Sequence, residues 1–78
     1  MQVEVTLFGQ YAQLLPPDRN GRATLEAEEG ATVADILDQL GVPGEARSYV
    51  SIGGAKARLS QGLWEGAKVR VIVPLGGG

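Results

Sequence analysis

The chain contains neither cysteine nor histidine. The first absence excludes disulfides and thiolate metal sites. The second removes the commonest metal ligand and the usual general base near neutral pH. Serine is confined to Ser48, Ser51 and Ser60, none of them in a nucleophile-elbow pattern. Without histidine no hydrolytic triad can be assembled. A self-contained enzyme is therefore not expected, although carboxylate or lysine chemistry stays open. No apolar run approaches bilayer length. The opening Met1-Gln2-Val3-Glu4-Val5 reads as strand rather than as a signal or transit peptide. These features lead us to expect a soluble, cytoplasmic protein with no membrane partner.

A length of 78 residues corresponds to one small domain, which buries little surface and is marginally stable. Its net charge of -2 is unevenly spread. Residues 1–39 carry Arg19 and Arg22 against seven acids, whereas residues 40–78 carry five basic residues against Glu45 and Glu65. Such asymmetry fits either an ordinary solvated surface or oriented docking onto a charged partner. The basic residues form no run and have no interleaved aromatics, so no nucleic-acid partner is expected.

Hydrophobic periodicity organises the rest. Val3, Val5 and Leu7 alternate with polar residues, the pattern of a strand with one buried face. Tyr11 to Leu15 reads as a short helical turn or an irregular stretch. Pro16-Pro17 interrupts pairing, and Asn20-Gly21 is a tight-turn signal. Arg22 to Glu28 reads as a second strand, with Ala23, Leu25 and Ala27 on one face. Thr32 is a candidate N-cap with Asp35 three residues on, a capping box with a short acid. Val33, Ile36, Leu37 and Leu40 form one apolar helical stripe, which Gly41 and Pro43 end. Ser48 to Ile52 is a short strand candidate, broken by Gly53-Gly54, and Lys56 to Leu59 can pair back. Trp64 is expected at the core or packed on an edge. Lys68 to Val73 is a final strand, with Val69, Val71 and Val73 inward and Lys68, Arg70 and Ile72 outward. One helix on one face of a mixed sheet of four to five strands is an α+β architecture. Residues 1–73 would form the domain, and residues 74–78 a flexible glycine tail.

This order, together with the ending Val73-Pro74-Leu75-Gly76-Gly77-Gly78, resembles the MoaD/ThiS sulfur carriers, ubiquitin-like proteins of β-grasp fold. Four segments carry the resemblance: Val5-Thr6-Leu7-Phe8-Gly9, Gly30-Ala31-Thr32-Val33-Ala34-Asp35-Ile36-Leu37, Leu63-Trp64-Glu65-Gly66-Ala67-Lys68-Val69, and Ile72 to Gly78. The sequence departs from the family pattern at Ile72, where an aromatic is usual, at Val73, where a proline is usual, and at Gly76, which extends diglycine to triglycine. The length is similar to that of the molybdopterin-synthase small subunit.

The resemblance implies a carrier rather than an enzyme, with no bound cofactor. A partner adenylating enzyme, of the ubiquitin-activating type, would use ATP to convert the Gly78 carboxylate to an acyl-adenylate. A sulfur donor would then displace AMP and leave a thiocarboxylate. A large synthase subunit or a sulfurtransferase would be a further partner. Activation is needed because such carboxylates ionise at roughly pH 3.3–3.7 and the anion is a poor electrophile. Five residues beyond Val73 reach on the order of 16–18 Å when extended. Gly76, Gly77 and Gly78 lack a Cβ and can pass a narrow channel, while Pro74 restrains the root of the tail. A glycine-rich terminus can also be a frayed end, but here it follows directly on a strand and a proline.

In a β-grasp sheet the first and last strands are parallel neighbours. Phe8 and Ile72, both on the outward side, would then meet at the root of the tail. They read either as scattered surface apolarity or as a docking patch with Lys56 and Arg70 as a charged rim, continued by Pro74, Leu75 and Gly76. Two alternatives share the architecture: a protein modifier conjugated through Gly78, and a non-covalent β-grasp interaction module.

Overall fold

The computed structural model describes residues 1–72. Five strands form a single mixed sheet: β1 (Gln2–Leu7), β2 (Arg22–Glu26), β3 (Val50–Ile52), β4 (Ala55–Lys56) and β5 (Ala67–Val71). One helix, α1 (Val33–Leu40), lies between β2 and β3 in the chain. The strand order is β2-β1-β5-β3-β4. The central pair β1 and β5 is parallel, and the other pairings are antiparallel. This is the β-grasp arrangement expected from the resemblance.

Period two places the core. Val3, Val5 and Leu7 of β1, Ala67, Val69 and Val71 of β5, and Val50 and Ile52 of β3 are buried on one sheet face. They meet Val33, Ile36 and Leu37 of α1 in one apolar cluster. Each large aliphatic side chain so buried contributes about 1.5–3 kcal/mol. Leu40, the last residue of the helical stripe, is half-buried at the cluster's margin.

Local chemistry sets the ends of α1. The Thr32 hydroxyl accepts from the Asp35 N–H (3.3 Å), and the Asp35 carboxylate accepts from the Thr32 N–H (2.9 Å). At the other end Gly41 takes the left-handed conformation, φ 76°, which costs glycine little. The Arg47 guanidinium reinforces this end by donating to the Val42 carbonyl and the Asp38 carboxylate.

Several elements are shorter than the periodicity predicts. The second strand ends at Glu26 rather than Glu28, because Met1–Ala27 is the last pairing available to β1. A 3-10 segment, Gly44–Tyr49, takes the first residues of the predicted third strand. The fourth strand is Ala55–Lys56 and keeps only Lys56 of the expected Lys56 to Leu59. Trp64 is 50% exposed, which excludes the core and leaves only the edge position of the two expected for it. Leu63 takes the inward place, half-buried against the cluster, and its N–H bonds the Ala31 carbonyl. The next side chain is left facing out. Glu65 then accepts from the Gln2 N–H, and the Gly66 N–H donates to the Gln2 carbonyl. Together they lock the turn that starts β5.

Candidate functional site

The candidate site lies where β5 delivers the chain toward its glycine tail. The β1–β5 ladder runs through Thr6–Arg70 and Leu7–Val71. One step further, the Phe8 N–H donates to the Val71 carbonyl (3.1 Å), which sets Phe8 beside Ile72. On the far side the Ile72 N–H donates to the Tyr49 carbonyl (2.9 Å), extending the Val50–Val71 register. Three large side chains therefore stand in a row across the end of the sheet. Phe8 is 38% exposed, Ile72 44% and Tyr49 45%.

A basic row lies directly beneath. Arg22 pairs with Thr6, Thr6 with Arg70, Arg70 with Ser51, and Ser51 with Lys56. Residues directly opposed in a ladder share a face, so Arg22, Arg70 and Lys56 all project from the face away from α1. The Arg70 guanidinium sits 5.7 Å from the centre of the Phe8 ring, a cation–π distance. That contact ties the apolar row to the basic one. Glu4 and Asp18 share a shallow depression with Arg22, so the positive charge is least opposed around Arg70 and Lys56. Four further acids, Glu26, Glu28, Glu29 and Asp35, line a separate depression beside the start of α1.

Of the residues proposed from sequence, Phe8, Lys56, Arg70 and Ile72 lie together on this surface. Pro74, Leu75, Gly76, Gly77 and Gly78 lie outside the described residues. Tyr49 and Arg22 were missed. The alternation Tyr49-Val50-Ser51-Ile52 already points Tyr49 outward, and only its pairing with Ile72 reveals its neighbours. Arg22 joins the row through strand order, which sequence does not supply. Among the described residues no cluster of metal-ligating side chains occurs. What this surface offers is apolar contact and positive charge.

The model of the ThiS family matches residues 5–78. The chain belongs to the ThiS family. The match takes in the Phe8 strand end, the basic row and the whole glycine tail. No curated protein sequence matches this ThiS-family chain. Among solved structures it is similar to SAMP1 from Haloferax volcanii, with 23% identity over 100% of both chains and a TM-score of 0.74. A second structure, of H. volcanii small archaeal modifier protein 1, shares 20% identity over 88% of this chain and 92% of that one, with a TM-score of 0.68. The putative molybdopterin converting factor, subunit 1, from Pyrococcus furiosus shares 22% identity over 95% and 98% of the two chains, with a TM-score of 0.74. At these identities the likeness is one of fold: a ubiquitin-like β-grasp domain. Among the described residues no helix is long and apolar enough to cross a membrane.

Proposed function

We propose that this ThiS-family chain is a sulfur carrier that acts through the carboxylate of Gly78. The observation that carries the reading is the family match across residues 5–78, tail included. In this scheme a Gly78 carboxylate oxygen attacks the α-phosphate of ATP on a partner adenylating enzyme, releasing pyrophosphate. Hydrosulfide from the sulfur donor then attacks the acyl carbon, AMP leaves, a proton is released, and the thiocarboxylate results. The thiocarboxylate is a soft nucleophile suited to delivering sulfur to a cofactor precursor. The chain acts as co-substrate, and the molybdopterin-synthase small subunit is the favoured role, with a large synthase subunit or sulfurtransferase as receiver.

The row Phe8, Ile72 and Tyr49 supports this reading as the surface that docks the partner, because it flanks the strand that leads into the tail. Arg70 and Lys56 form its charged rim, and Pro74, Leu75 and Gly76 continue it into the partner's channel. Gly77 leaves the channel unobstructed next to the reacting residue.

Intact-mass measurement tests the scheme. Incubation with the adenylating enzyme of the source organism, ATP and a sulfur donor should add about 16 Da, an exchange of oxygen for sulfur. Gly77→Val should abolish the gain by placing a branched side chain in the channel. If the unmodified chain forms neither adenylate nor thiocarboxylate with any such enzyme, the proposal fails. A second reading is suggested by the name of the Haloferax neighbours: a modifier joined through Gly78 to lysines of other proteins. Conjugate ladders from a tagged copy in cells would favour it, and a single unconjugated band would count against it.

A further inference from the structure

The outer edge of β2 bears on a different question. In the strand order β2 stands at one end of the sheet and β4 at the other. Strand β4 has two residues, too few to template another strand, whereas β2 has five and contains no proline. An open strand of that length presents unpaired backbone groups, a surface that proteins usually block.

The phase of the ladder shows which groups are open. In an antiparallel pair, residues bonded to the partner strand alternate with residues whose N–H and C=O point away. The Leu7 N–H bonds the Gly21 carbonyl (2.7 Å), and the Ala27 N–H bonds the Met1 carbonyl (2.8 Å). With the register Val5–Ala23 and Val3–Leu25 between them, positions 21, 23, 25 and 27 face β1. Arg22, Thr24 and Glu26 therefore direct their N–H and C=O groups to the open edge. Among the described residues no backbone hydrogen bond engages them from that side.

The segment Arg22-Ala23-Thr24-Leu25-Glu26 complements itself when laid antiparallel to a second copy. Centred on Thr24, the two-fold sets Thr24 opposite Thr24, Arg22 opposite Glu26, and Ala23 opposite Leu25. Every edge-facing N–H and C=O of the three open residues finds its counterpart, giving six backbone hydrogen bonds. The charges attract twice over on the exposed face. On the other face Ala23 and Leu25, half-buried in the monomer, would cover one another. A two-fold centred on residue 22 or residue 26 would instead oppose like charges. Glu26 has one competing contact, an exposed 3.7 Å approach to the Met1 amino group, which is weak.

We propose that two copies of this chain pair through β2, antiparallel and centred on Thr24, to form a continuous ten-stranded sheet. The contact is isologous and closes at two copies. It is independent of the tail, since β1 separates β2 from β5. Five residues per copy bury less than a standard interface, so the dimer is weak and concentration-dependent.

Sedimentation velocity on the full chain, from about 10 µM to about 1 mM, tests the pairing. The unmodified chain should pass from its 8.1 kDa mass to twice that value. Thr24→Pro removes an edge-facing N–H and leaves the β1 ladder whole, so it should lose the dimer while circular dichroism stays native. Arg22→Glu and Glu26→Arg should each weaken self-association. Mixed in equal amounts, these two variants should associate at least about tenfold more tightly than either alone, because each charge then meets its opposite. A chain that stays monomeric at about 1 mM overturns the proposal. So does a dimer that survives in folded Thr24→Pro, or a mixture no tighter than its components.

Discussion

Gly21 connects the fold to the candidate site, and replacing it with alanine should be unusually costly. The residue is buried, its φ is +77°, and a Cβ built on it would lie 2.5 Å from the Leu7 carbonyl oxygen and 3.2 Å from the Ala12 Cβ. The left-handed backbone costs alanine roughly 1–2 kcal/mol. The steric conflict adds roughly 1–3 kcal/mol, since the obstacle is backbone that cannot rotate away. That oxygen belongs to Leu7, whose own N–H bonds the Gly21 carbonyl, so relief on one side strains the other. Together the loss is about 2–5 kcal/mol, against a total stability of about 4–12 kcal/mol for a chain of this length. With a urea m-value of about 1 kcal/mol/M, the unfolding midpoint should fall by about 2–5 M. Gly30→Ala and Gly66→Ala serve as controls. Their φ angles are +88° and +81°, yet nothing lies within 4 Å of an added Cβ, so only the backbone cost of roughly 1–2 kcal/mol applies. If all three variants lose the same stability, the close approach to Leu7 contributes nothing and the reasoning is wrong. Because Leu7 precedes Phe8, Gly21→Ala should also disturb the apolar row, where the controls do not.

Thr32→Ala removes half of the capping box and should cost about 0.5–2 kcal/mol, read as a lowered thermal midpoint. An unchanged midpoint would mean that Asp35 alone holds the first turn. Phe8→Ala and Arg70→Ala should each raise the KM of the adenylating enzyme for this chain, by about tenfold for the aromatic anchor, with the thermal midpoint unmoved. In the double variant the two effects should be less than additive, because the 5.7 Å cation–π contact couples the residues. Full additivity would show that they contact the partner separately.

Much of the fold was legible from local signals. The capping box at Thr32 and Asp35, the stop at Gly41 and the stripe of Val33, Ile36 and Leu37 are encoded within a few residues, so their spacing alone identified α1. The alternation through Val3, Val5 and Leu7, and through Val69 and Val71, did the same for β1 and β5. The third and fourth strands were overdrawn. A stretch such as Arg47-Ser48-Tyr49 tolerates strand or 3-10 geometry, and its neighbours decide between them. The core alternative for Trp64 failed because hydrophobicity favours burial, while the adjacent Leu63 is the residue that packs against the core cluster.

By itself the sequence determined the periodicities, the caps, the uneven charge and the glycine tail, because each depends on residues close together in the chain. It also marked Phe8 and Ile72 as outward breaks in their strands. Only the tertiary structure decided who stands beside whom. Strand order joins Arg22, Arg70 and Lys56 into one row, adds Tyr49 to the apolar end, and leaves the Arg22–Glu26 edge open. Such pairings join separate strands, the farthest being Thr6 with Arg70. The hydrogen bonds that make them are between backbone groups, which every residue carries alike, so side-chain periodicity alone does not fix them, and only the β1–β5 pairing was expected, from the family resemblance.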